Sequence, residues 1–257
     1  MRVACKCCAV IEPALIGPTL VHRDADLLVL YKPSGLPTTS PDGQNCLASW
    51  ARACDPDAAR MHASSRLDAE VTGLVTFART DRAIAALTAA RREGKYVRFY
   101  LGIAGSAPQP ERGEWHWEIA KDPRNARRRV AQPEGSARGV RAASRYSVLG
   151  AVPQAVVLGL WPQTGRTHQL RVHAAAAGAA LLGDKHYGGA MRVVLTDGRV
   201  VRASRVMLHC MRVTLPGIAS SEPLTLTAPV ADDMRQLFVQ LGGDPGLLDH
   251  WQRTVPS

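Results

Sequence analysis

Asp68 is the residue of this chain best placed for acid–base or nucleophilic chemistry. It stands in Ser65-Arg66-Leu67-Asp68-Ala69-Glu70-Val71-Thr72-Gly73-Leu74, where a loop gives way to a strand at Leu74. A side chain there can project from a rigid scaffold into a cleft. A bare Arg-Leu-Asp would more simply be a turn, its aspartate capping a backbone N–H. About a hundred residues later, Gly165-Arg166-Thr167-His168-Gln169-Leu170-Arg171-Val172-His173 gathers Arg166, His168, Arg171 and His173 at the head of a helix. Positive charge and free helix N–H groups can meet an anion there, whereas a solvated helix face is the plainer alternative. The two segments offer one candidate carboxylate and one candidate cation.

Composition limits what such a pair can serve. The 257 residues are 46% hydrophobic and 21% charged, near globular averages, so a buried core is expected. Lys and Arg outnumber Asp and Glu by 32 to 22, a formal charge of +10 with a sequence pI near 9.8. That balance favours a polyanion, nucleic acid before an acidic membrane surface. No stretch approaches the ~18 apolar residues of a membrane span, and the N-terminus is a poor signal peptide, so a cytoplasmic location is expected. Cys5, Cys7, Cys8, Cys46, Cys54 and Cys210 lack the paired spacing of zinc ribbons and suit no disulfide framework. Free thiols are expected, with a metal at Cys5, Cys7 and Cys8 the minor alternative to a frayed terminus.

The elements that must position Asp68 and Arg171 alternate at first. Strands are predicted over 26–31, closed by Pro33-Ser34-Gly35, and over 74–78; helices over 44–53 and 81–92, the latter stopped by Gly94. Strands then dominate at 97–103, 142–149, 155–160, 207–215 and 224–227, with a hairpin over 193–201 turning at Asp197-Gly198. Helices are expected over 167–177, ending at Gly178, and over 232–241. The sum is an α+β protein with a mixed or antiparallel sheet. Arg124-Asn125-Ala126-Arg127-Arg128-Arg129, after Trp115 and Trp117, is the densest basic patch; it reads as a mobile solvated loop suited to phosphate contacts through Arg127 and Arg128. Arg91, Arg92 and Lys95 are weaker candidates.

These segments resemble the RluA-like pseudouridine synthases, which isomerise uridine in structured RNA. The Asp68 segment is similar to the family's His-Arg-Leu-Asp-x-x-Thr-Ser-Gly-Leu, and 165–173 to its Gly-Arg-Thr-His-Gln-Ile-Arg-Val-His, with Leu170 for Ile. Leu28-Val29-Leu30-Tyr31-Lys32-Pro33-Ser34-Gly35 resembles the strand ending in Asn-Lys-Pro-x-Gly. Leu182-Gly183-Asp184-Lys185-His186-Tyr187-Gly188, 208–213 and 222–229 also match in order. Two positions depart near the chemistry. Ser65 replaces the family's His, and the family's Tyr aligns with Phe99 if Gly105 anchors the register, with Tyr100 one residue away. In a strand those two face opposite ways, so one excludes the other.

The resemblance implies the pseudouridine synthase fold: a central mixed or antiparallel sheet in two halves, a catalytic cleft across it and flanking helices. It implies no cofactor and no metal, with structured rRNA or tRNA as partner. The expected partition is an N-terminal extension over 1–18, a catalytic domain over 19–245 and a tail over 246–257, without an S4-like domain; no oligomeric state is fixed, and a monomer is the default. Asp68 would be the catalytic carboxylate, as nucleophile or base, and Arg171 its charge partner. Phe99 or Tyr100 would stack on the uracil, while Arg66, Arg166, His168, Lys32, Arg127 and Arg128 would contact RNA, Lys32 and Arg166 as structural or phosphate contacts. The alternative is a non-catalytic RNA-binding or RNA-folding protein on the same scaffold, motivated by Ser65 and Phe99. A basic RNA hydrolase is disfavoured for want of a usable acid–base pair or metal-ligand set.

Overall fold

The computed structural model describes residues 17–218 and 222–254. Most of the 1–18 segment, with Cys5, Cys7 and Cys8, therefore lies outside the described residues. The chain forms two compact units. The first holds the described residues through Arg98 together with Cys210–Ala231; the second holds Phe99–His209 and the residues from Asp232 onward.

In the first unit, strands β1 (Thr19–Arg23), β2 (Leu27–Lys32) and β4 (Thr72–Ala78) lie in the order β1-β2-β4, and β4 neighbours β13 (Leu208–Leu215). The short β3 (His62–Ala63) adds to β4, and β14 (Leu224–Thr227) to β13. All six residues of β2 and all seven of β4 are buried, as a near-continuous apolar run requires of a central strand. Helix α1 (Leu47–Cys54) begins three residues later than expected, because Gly43 and Asn45 take left-handed backbone at φ +69° and +47°. Helix α2 (Asp81–Arg92) matches its predicted bounds. Thr80 accepts from the Ala83 N–H, Ala83, Leu87 and Ala90 form its buried stripe, and Gly94 follows at φ +71°.

The second unit carries β5 (Val97–Ala104), β6 (Arg112–Trp115), β9 (Ser144–Val152) and β10 (Ala155–Pro162) in the order β5-β10-β9-β6. It adds a hairpin of β7 (Glu118–Asp122) and β8 (Asn125–Gln132), the expected hairpin of β11 (Arg192–Val194) and β12 (Val200–Arg202), and three helices: α3 (Gln169–Ala176), α4 (Asp232–Gln240) and α5 (Pro245–Arg253). Two expectations are corrected here. The basic patch over 124–129 is not a mobile loop: Pro123 and Arg124 turn the hairpin, Asp122 accepts from the Arg124 N–H at 2.9 Å, and Arg127–Arg129 run along β8. The stretch 246–253 is no tail either. Asp244 caps α5 with Pro245 at its first turn, and Leu248 and Trp251 are buried. Among the described residues no helix is long and apolar enough to cross a membrane.

Candidate active site

Asp68 is half-buried in a turn, its carbonyl accepting from the Val71 N–H at 3.0 Å. The turn is clamped on both sides. On one side the buried Thr38 hydroxyl donates to the Leu67 carbonyl at 2.9 Å and accepts from the Leu67 N–H at 3.0 Å. On the other, the Ala69 carbonyl accepts from Lys32 Nζ at 2.9 Å and from the Gly35 N–H at 2.9 Å. Lys32 is 0% exposed, and its ammonium also donates to the carbonyls of Pro33 and Leu36, each at 2.7 Å. A buried ammonium persists only when so satisfied. Lys32 is therefore a structural cation that fixes the Asp68 turn, the first of the two roles expected of it.

Ser65, where the family has His, is 5% exposed. Its Oγ accepts from the Thr76 N–H at 3.0 Å, and Arg91 donates to the neighbouring Ser64 carbonyl. This departure pins the segment to β4 three residues before Asp68. Arg66, by contrast, is exposed beside Asp68.

Arg171 is 3% exposed on α3, and Asp184 takes its Nε at 2.7 Å and its Nη2 at 2.8 Å, a bidentate pair between two buried groups. The Tyr187 ring centroid lies 5.1 Å from the guanidinium carbon. Planar carboxylate and fork geometry match, which fixes the orientation of the guanidinium plane. Asp184 can arrive only because Gly183 precedes it. At φ +75° a Cβ on Gly183 would lie 1.7 Å from the Arg205 carbonyl oxygen. No local pattern in the sequence marks Asp184 for this role, because its partner lies 13 residues away in the chain.

The rest of 165–173 is mainly scaffold. His168 takes left-handed backbone at φ +59°, which delays α3 to Gln169, and its Nδ1 lies 2.6 Å from the Tyr187 hydroxyl. Gln169 uses all of its amide: Oε1 accepts from Thr164 Oγ1 and the Arg166 N–H, while Nε2 donates to the Ala143 carbonyl and Ser144 Oγ. His173 is 0% exposed, with Nε2 at 2.8 Å from the Trp117 carbonyl and Nδ1 at 3.1 Å from Ser144 Oγ. Burial holds its pKa below the ordinary histidine value, so the ring is neutral, donating to Trp117 and accepting from Ser144. His168 is thus tied to Tyr187, while Arg166 remains exposed.

Strand pairing separates Phe99 from Tyr100. Both are buried, at 1% and 4% exposure, so exposure cannot decide. Tyr100 pairs with Leu160 and Leu160 with Tyr146, which stacks on Trp115 at 4.0 Å. Ser144, two residues from Tyr146 and so on the same face, bonds Gln169 and His173. Tyr100 therefore belongs to the α3 face. Phe99 lies on the other face with Trp161, their ring centroids 4.9 Å apart. Arg145, paired with Trp161, sits 4.5 Å over its ring and is exposed. Tyr100 thus shares its face of the sheet with α3, the helix that carries Arg171, while Phe99 is buried on the opposite face.

Among the other predicted cations, Arg127 is exposed, while Arg128 lies half-buried with its guanidinium 5.7 Å from the Tyr187 ring. Trp115, buried, and Trp117, half-buried, both pack edge-on to His173.

A half-buried carboxylate on a clamped turn, an oriented buried arginine and an exposed basic surface are what uridine isomerisation in RNA asks of a protein. The profile of the family described as RNA pseudouridylate synthase matches residues 26–176, and the chain belongs to that family. It is 30% identical to the mitochondrial pseudouridylate synthase RPUSD4 of Xenopus tropicalis, over 91% of this chain and 83% of that one. It is 28% identical to the ribosomal large subunit pseudouridine synthase D of Zymomonas mobilis, over 90% and 74%. The solved structure of human RNA pseudouridylate synthase domain containing 4 shares the fold at a TM-score of 0.69 and 24% identity, covering 87% of this chain and 92% of that one. The chain is thus an RNA pseudouridine synthase, an isomerase.

Proposed function

We propose that this enzyme isomerises a uridine of structured RNA, ribosomal RNA first among the candidates, with Asp68 as its catalytic carboxylate. The observation that carries the residue assignment is the double clamp on the Asp68 turn, by Thr38 at Leu67 and by Lys32 and Gly35 at Ala69. Such support holds a reacting group in place without spending flexibility at the moment of reaction. Ribosomal RNA is favoured because relatives such as the synthase D of Zymomonas mobilis carry that substrate in their names.

The reaction breaks the C1′–N1 bond, turns the uracil and forms C1′–C5; the C5 proton is lost and N1 gains one, so atoms balance within the nucleotide. Asp68 starts glycosidic cleavage as nucleophile or base. Arg171, oriented by Asp184, serves as the charge partner of Asp68, on the strength of the motif resemblance. Of the two candidate rings, Tyr100 lies on the face of the sheet that carries α3 and Arg171, and it supplies the ring against the uracil. Extruding a stacked nucleotide costs a few kcal/mol, offset by contacts from exposed Arg66, Arg127 and Arg166. The catalytic region is taken to start at residue 19 and to run through α5. Cys46, Cys54 and Cys210 form no disulfide, which fits action in the cytoplasm.

RNA from cells lacking the gene, incubated with wild type or Asp68→Asn and resolved by nucleoside chromatography, tests this. Pseudouridine with wild type alone is expected. Undiminished turnover by Asp68→Asn would remove Asp68 from the chemistry. Tight binding without product from either protein would revive the RNA-binding alternative.

A further inference from the structure

Four cations, Lys121, Arg129, Arg138 and Arg166, share the lining of one groove of about 660 Å³ in the second unit, with Ile119, Val130 and Val140 among its apolar residues. The volume lies within the ~300–1,000 Å³ typical of small-molecule sites. Among the described residues the lining contains no carboxylate, and none of the four cations forms an ion pair. Two of the charges are held in place without being neutralised: Arg166 Nε donates to the Arg141 carbonyl at 3.0 Å, and Arg129 Nη1 to the carbonyls of Ala126 and Arg128. The nearby Glu118 forms no ion pair with the four; its Oε1 accepts from the Gly135 N–H and its Oε2 is buried beside Gly139. The floor is fixed too. Ile119 and Val140 exchange both backbone hydrogen bonds at 3.0 Å, and Val140 stays 49% exposed.

Like charges gathered without a counter-ion repel one another, and an anion relieves that repulsion. An exposed apolar floor beneath them gains by being covered. A nucleotide does both, placing its base on the floor and its phosphates on the rim. A duplex offers only phosphates to a concave site, and an acidic peptide leaves the floor bare. We propose that this groove binds one single-stranded nucleotide of the substrate RNA outside the modified uridine, making it a second contact that selects the RNA. The proposal rests on the RNA pseudouridine synthase reading above.

Fluorescence anisotropy with a short labelled oligouridylate, against an RNA duplex and polyglutamate as competitors, tests it on the full chain. Lys121→Ala with Arg138→Ala removes two rim charges, and Val140→Asp puts a carboxylate on the exposed floor. Each should weaken oligouridylate binding about tenfold, and the double variant should flatten the salt slope by about 1.4, for two lost single-strand phosphate contacts. In turnover assays KM should rise while kcat holds. Variant affinities within about twofold of wild type, or displacement by polyglutamate as effective as by RNA of equal charge, would overturn the groove as a nucleotide site. Pseudouridine formation by wild type, measured in parallel, separates the two readings. If product forms while the variants bind normally, only the groove proposal falls; if no product forms, the enzyme reading falls and the binding data still decide the groove.

Discussion

Arg171 and Asp184 are both almost fully buried and form a bidentate pair. Breaking a buried pair by removing one partner costs about 3–5 kcal/mol. Asp184→Ala is therefore expected to lower unfolding free energy by about that much in urea titration. Arg171→Lys keeps the charge but not the fork, and should fold while losing turnover. A fully active lysine variant would show that fork geometry is irrelevant. The same scale separates the paired rings. Tyr100→Leu should reduce kcat more than Phe99→Leu, because Tyr100 shares the α3 face with Arg171 while Phe99 is buried against Trp161; the reverse order in steady-state assays would assign the uracil contact to the Trp161 face.

At the scale of elements, α3 is held by buried polar bonds, and His173 makes it pH-sensitive. The folded ring resists protonation, chiefly because it is desolvated. The unfolded ring protonates as pH falls through about 6.5. The unfolded state then binds the proton that the folded state refuses, so stability is unaffected well above that value and declines below it. Urea titrations at stepped pH should show this decline in wild type and a shallower one in His173→Gln; equal slopes would remove His173 as the source. Much of this level was legible in the sequence. Helix α2, the 192–202 hairpin and β14 announce themselves through a capping threonine, an Asp-Gly turn and a short β-branched run, all local signals. The β7–β8 hairpin did not, because consecutive arginines on β8 read as a solvated loop, and their pairing depends on a partner strand of unremarkable composition. Helix α5 was hidden by Gly242-Gly243, although Asp244-Pro245 was a start signal. At the site, motif order picked out Asp68 and Arg171, but Lys32 as a clamp and Asp184 as an anchor became visible only once the chain had brought distant carbonyls and carboxylates to them.

For the whole molecule, a charge of +10 on 257 residues is an instruction about the partner and not about the reaction. Binding that rests on phosphate contacts releases counter-ions, and the logarithm of affinity falls with that of salt in proportion to the contacts made. If four cations engage single-stranded phosphates, the slope is about −2.8, and affinity drops roughly fiftyfold between 50 and 200 mM salt. The carboxylate of Asp68 sits on a clamped turn and contributes nothing to that count. Asp68→Asn should therefore bind RNA with the wild-type slope, measured by filter binding across salt, while forming no pseudouridine. A flat salt response would mean that base contacts, and not the basic surface, dominate affinity. A slope altered by Asp68→Asn would mean that the carboxylate repels the backbone in the bound state, joining recognition and chemistry in one residue where the clamp at Thr38 and Lys32 argues for keeping them apart.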